Sequence, residues 1–153
     1  MPSSARHSAQ IEAIYAQDDP DACRHARSMV AALTSVPEAV RGDAMIVVTE
    51  LVSNAVRHGR RVRGGRIVVT LSREPGCLRI EVRDPGTGFV PTPGSSDGGW
   101  GLPLVDRLSR DWGIRGGDTT VVWCVIPVAD RPRPAVADAP ADGPPRTTLP
   151  PPH

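Results

Sequence analysis

With 153 residues and a formal charge of +1, the chain suits one domain with a modest core and has no bulk electrostatic pull toward nucleic acid or anionic lipid. All 18 residues of the Lys+Arg count are arginine. The absence of lysine excludes a Walker P-loop, the strand lysine of eukaryotic-type protein kinases and a pyridoxal Schiff base.

In chain order, IEAIYA (11–16) reads as a short edge strand, after a flexible N-terminus over residues 1–10. DDPDACRHARSMVAALTS opens with Asp and Pro, residues suited to a helix start, and predicts a first helix from about Asp21 to Leu33. A second helix begins near Pro37 and runs through VRGDAMIVVTELVSNAVRH to Gly59, expected as a left-handed cap, with Arg57 and His58 in the last turn where the helix dipole favours them. RIVVTLSR and CLRIEVRD are β-branched runs of alternating polarity joined by EPG, a hairpin. PGTGFVPTPGSSDGGWG is too rich in Gly, Pro and Ser for a regular element. LPLVDRLSR predicts a short third helix, and DWGIRG and TTVVWCVIP supply two last strands. This order predicts an α+β two-layer sandwich, with helices packed on one face of a mixed, largely antiparallel sheet.

Beyond residue 128 the chain carries eight of its 17 prolines and almost no large apolar side chains. Such a segment cannot bury enough surface to offset its ordering entropy, so 129–153 is expected as a disordered Pro-rich tail and 11–128 as the domain. Cys23, Cys77 and Cys124 form no CxxC unit and are odd in number, which suggests neither a zinc site nor a disulfide framework. MPSSARHSAQ lacks the apolar centre of a signal peptide, and no stretch approaches the roughly 20 apolar residues of a membrane span. A cytoplasmic protein without membrane contact is the expectation.

Three polar features stand out. Asp43, Glu50, Asn54 and Arg57 recur at helical spacing and can share one face of the second helix. A solvated stripe is the simplest explanation of such spacing, but Val47, Val48, Leu51, Val52 and Ala55 make the helix too apolar to lie exposed. An Asn oxygen is a neutral hard ligand suited to Mg²⁺, and a Glu one turn earlier can accept a proton from an attacking hydroxyl or orient it. The spacing permits both roles without requiring either.

DPGTG (84–88) places a carboxylate at a strand end, followed by Gly86 and Gly88. The acid can accept a hydrogen bond from an exocyclic amine, and the glycines let the backbone approach a flat ring, although an ordinary turn has the same composition. GGWGL (98–102) leads into the third helix, whose first amides could hold phosphate oxygens; a plain loop is the other reading.

Taken in order and spacing, Glu50-x-x-x-Asn54, Asp84-x-Gly86-x-Gly88, Gly99-x-Gly101 and TTVVW resemble the N, G1 and G2 boxes of the GHKL ATPase superfamily. Within it, ELVSNAVRHG and DRLSRDWGI…TVVWCVIP resemble the bacterial anti-sigma-factor serine kinases, over roughly residues 11–128. The resemblance implies a Bergerat fold that holds Mg²⁺-ATP under a lid. It further implies Asn54 as the Mg²⁺ ligand, Glu50 as catalytic base and Asp84 on the adenine amine. Gly86 and Gly88 would shape the adenine pocket, Gly99 and Gly101 would hinge the lid and meet the phosphates, and Thr120 would support Asp84. The implied partner is a sigma factor or an antagonist protein that the kinase phosphorylates or sequesters, and related domains often dimerise, so a homodimer belongs to the expectations.

One departure bears on catalysis. Serine kinases of this group carry a basic residue just before the G2 glycines, where this chain has Asp97, and no cation occurs between Arg83 and Arg107. Phosphotransfer draws much of its rate from positive charge near the terminal phosphate. A non-catalytic ATP-dependent switch and a stand-alone histidine-kinase-type ATPase domain are therefore the alternatives. His25 reads as a surface residue of the first helix rather than a phosphoacceptor. Trp100 is a candidate for nucleotide or partner contact, or for packing on the third helix. HGRRVRGGR reads as a solvated loop or a contact for phosphate or an acidic partner. With aromatics at only 3% and none among these arginines, single-strand stacking is not expected.

Overall fold

The computed structural model describes residues 9–59, 61–86 and 102–128. The elements run β1 (Ala9–Ala16), α1 (Ala22–Ala31), α2 (Glu38–His58), β2 (Arg66–Glu74), β3 (Cys77–Asp84), α3 (Leu102–Leu108), β4 (Asp111–Arg115) and β5 (Thr120–Pro127). The strands form one sheet in the order β1-β2-β3-β5-β4. Every pairing is antiparallel, so the mixed sheet of the sequence reading has no parallel pair among these strands. The cause is β4: it pairs antiparallel with β5 at the sheet edge, and β5 returns beside β3 in the opposite direction.

Alternation along the strands separates two faces. Ile67, Val69 and Leu71 of β2, Leu78, Ile80 and Val82 of β3, and Cys124 and Ile126 of β5 are buried under the helices. From α2, Ala44, Val47, Val48, Leu51, Val52 and Ala55 meet them, and Ala22, Ala26 and Val30 of α1 complete the core. A helix this rich in valine has only average intrinsic propensity; burial of its apolar side holds it in place.

The β2–β3 hairpin closes on Pro75 and Gly76 between the paired Glu74 and Cys77. Gly76 has φ +75°, the conformation that a type II turn demands after its proline. The first helix is shorter than expected, and Leu33 and Val36 enter the core from the segment that joins it to α2. Gly59 is not the left-handed cap expected of it. Its φ of −60° and ψ of 138° are extended, and its presence has a different cause, given below.

Cys23, Cys77 and Cys124 are all free thiols. Burial pushes each thiol upward, Cys124 to about 12, which favours the protonated form. His25 lies on the surface of α1, stacked on Tyr15 with its Nδ1 3.6 Å from Asp19. Among the described residues, no helix is long and apolar enough to cross a membrane.

Candidate nucleotide site

The end of β3 carries Asp84 into the interior, with only 7% of its surface exposed. Its register partner on β5 is Thr120, exposed to 4%. The Gly86 amide donates to Asp84 Oδ1 at 2.6 Å, and the Thr120 hydroxyl donates to the Gly86 carbonyl at 2.9 Å. Thr120 thus braces the turn after Asp84 rather than the carboxylate itself. Loss of water around the carboxyl raises its pKa, and the Gly86 amide partly opposes that rise.

The carboxylate is in this position because α2 ends beside it on a glycine. A Cβ on Gly59 would lie 1.8 Å from Asp84 Oδ2 and 2.2 Å from the Ala55 carbonyl oxygen. The glycine is required for space, since its backbone angles suit any residue. From the sequence this glycine reads as a left-handed helix cap; in the structure its amide does close the helix on the Ala55 carbonyl, but the absence of a side chain serves Asp84.

Asn54, one turn before His58 on α2, lines the same cavity as Asp84 and Thr120. Leu51, Ala55, Gly59, Val82, Leu102, Ile114 and Val122 supply the remaining wall. The slot is mostly apolar and narrow, about 30 Å³, room for little more than a water molecule, so a flat ring reaches the acid only by parting the aliphatic walls. Ile114, Val122 and Leu102 were not singled out from the sequence, because an isolated aliphatic residue in a strand or helix carries no signal beyond burial.

Glu50 lies on the same helix, one turn before Asn54; it is half-buried and does not line this cavity. Asp43 and Asn54 are also half-buried, and Arg57 is exposed, so the expected stripe runs along the margin of the buried side. Gly88, Asp97, Gly99, Trp100 and Gly101 lie outside the described residues. Among the described residues, no group of three or more His, Cys, Asp or Glu side chains converges on a common point.

Helices thus cover one face of an antiparallel sheet, and an acid at a strand end and a carboxamide on α2 line one cavity between the two layers, an arrangement suited to a nucleotide-binding protein. Residues 16–126 match the histidine kinase-like ATPase domain family, and the chain belongs to that family within the GHKL ATPases. A comparison with curated proteins gave no match.

Proposed function

We propose that this protein is an ATP-binding regulator of the anti-sigma-factor serine/threonine kinase type, acting in the cytoplasm on a sigma factor or an antagonist protein. The observation that supports this reading best is the convergence of Asp84, Thr120 and Asn54 on one cavity. Asp84 accepts a hydrogen bond from the purine amino group, and Val82, Val122, Leu51 and Ile114 hold the ring. Asn54 presents a carboxamide oxygen of the kind Mg²⁺ accepts, in a site where phosphates and water would complete its shell. When bound, the ion offsets charge on the phosphates.

Glu50, on the helix that carries Asn54 but outside the purine cavity, accepts the proton of an incoming serine or threonine hydroxyl. The hydroxyl oxygen bonds to the terminal phosphorus, the bond to the bridging oxygen breaks, and ADP leaves. A second reading is favoured by Asp97 and by the absence of cations between Arg83 and Arg107: an ATP-loaded switch that sequesters its partner without phosphorylating it.

Calorimetric titration with ATP and GTP, with and without Mg²⁺, tests the site; adenine selectivity is the expected result, and indifference to both nucleotides would remove the reading. Labelled ATP and a candidate partner then separate kinase from switch. In the kinase, Glu50→Ala retains ATP binding and loses at least about a hundredfold in transfer rate. Transfer at the normal rate in that variant would discard the base assignment.

A further inference from the structure

The sheet face away from the helices carries a basic and apolar patch that the nucleotide site does not use. Register places Ile14, Val68, Arg83, Val121 and Arg115 in one row across all five strands, with Ala16 and Arg66 in the next row toward the α2–β2 connection. Residues directly opposite one another share a face, and Ile67, Val69 and Leu71, which meet the helices, occupy the alternate positions. Ile14 is 53% exposed and Arg83 is exposed.

At the end of this face lies a second cavity of about 440 Å³, bordered by Gln17, Asp18, Arg61, Val62, Arg63 and Arg66 together with Ala16 and two glycines. Part of its rim is a hydrogen-bonded turn that carries exposed arginines. The Gly65 amide donates to the Val62 carbonyl at 2.7 Å across a turn whose third residue, Gly64, has φ +71°. Buried Gln17 ties that turn to β1: its backbone N–H donates to the Gly65 carbonyl at 3.0 Å, and its side-chain Oε1 accepts from the Val62 backbone N–H at 3.2 Å.

The charges on this surface are unequal. Arg61, Arg63 and Arg66 of the cavity lining meet one carboxylate there, Asp18, and Arg83 adds a further cation on the open sheet face. On the other side of the Ile14–Arg115 row, Glu81 is engaged by Arg79 at 2.7 Å and Arg115 at 3.0 Å, and exposed Glu12 on β1 is a second carboxylate in the row of Glu81. Arginines interleaved with Ile14, Val62, Val68 and Val121 match a segment that alternates acidic and apolar side chains. None of these residues is aromatic, and the chain's net charge of +1 is poor for a polyanion, so a nucleic acid fits less well.

We infer that this end of the open sheet face, with its arginine-rimmed cavity, docks an acidic-apolar segment of a protein partner. This deepens the partner-binding part of the function proposed above and places that contact away from the nucleotide cavity.

The test uses the full chain and a fluorescein-labelled peptide alternating Glu and Val, followed by anisotropy, with an alternating Lys-Val peptide and a short DNA duplex as competitors for the assignment. The acidic peptide is expected to bind, and Arg63→Glu/Arg66→Glu to weaken it by about tenfold or more, with a strong dependence on salt. Arg63→Gln/Arg66→Gln gives the same direction with a smaller loss, and serves if the charge reversal prevents folding, as judged by thermal melting. No binding of the acidic peptide, equal binding by the folded variants, or preference for the duplex would overturn the inference. ATP titration of the same samples keeps the two proposals apart: loss of nucleotide binding by the native chain removes the functional reading, whereas unchanged peptide binding by the variants removes only the docking surface.

Discussion

Two cavities lie near the turn after β3 and differ in almost every physical respect. One lies beneath α2, walled by aliphatic side chains, with its acid desolvated and braced by Gly86 and Thr120. The other opens at the end of the uncovered sheet face and is rimmed by arginines in water. They come close at Gly65, whose added Cβ would lie 3.1 Å from Pro85 Cγ, the residue directly after Asp84. The enclosed cavity is a low-dielectric setting, where each unmatched polar group is costly. The open one offers charge in high dielectric, which sets partner preference and encounter rate more than tightness.

That contrast can be broken most sharply at Asp84. Asp84→Asn leaves Oδ1 to accept from Gly86 but turns a donor toward the purine amine, so ATP affinity should fall about a hundredfold in calorimetry. The same variant should melt at a higher temperature without nucleotide at neutral pH. Because folding raises the carboxyl's pKa, its contribution to stability is fully present below its unfolded value and is lost as pH rises through its folded value. The variant's advantage in melting temperature should therefore grow from acid toward neutral pH; a constant difference would contradict the desolvation account.

Gly59→Ala tests the same wall from the helix side. Its methyl would collide with the Asp84 carboxyl and the Ala55 carbonyl, and a loss of about 1–3 kcal/mol in denaturant unfolding is expected, with nucleotide binding reduced in parallel. Since φ is already negative there, normal stability in this variant would mean that α2 can move away from β3 freely.

At the open cavity the effects are smaller. Gln17→Leu removes the acceptor for the Val62 amide and should cost about 1–2 kcal/mol in unfolding, with ATP affinity within about twofold of normal. A large effect on ATP would show that the turn behind Pro85 controls the nucleotide cavity. Smallest is Glu81→Gln on the open face, where Arg79 lies 4.7 Å over the Trp123 ring and Trp123 in turn crosses Gly113. The two ion pairs are partly exposed, and their loss should change stability by at most about 1 kcal/mol.

Much of this was legible because it depends on local periodicity. The valines of α2, the alternation of β2 and β3, and the Pro75-Gly76 turn each announce their conformation within a few residues, and the motif spacing of Glu50, Asn54, Asp84 and Gly86 carried the family and its fold. The arginines of 60–66 were visible too, but not that Gln17, more than 40 positions earlier, fixes part of their loop into a turn.

The sequence by itself determined which residues could turn inward and which chemistry they could offer, because helix and strand repeats depend only on neighbours along the chain. The tertiary structure decided which of those groups meet. The fit of Gly59 against Asp84, the hydroxyl of Thr120 on the Gly86 carbonyl, and the shared cavity of Asn54 and Asp84 all join segments brought together only when α2 closes on the sheet. Close packing across such segments leaves no trace in local periodicity, so a glycine that reads as a helix stop becomes, in the fold, the space a buried acid requires.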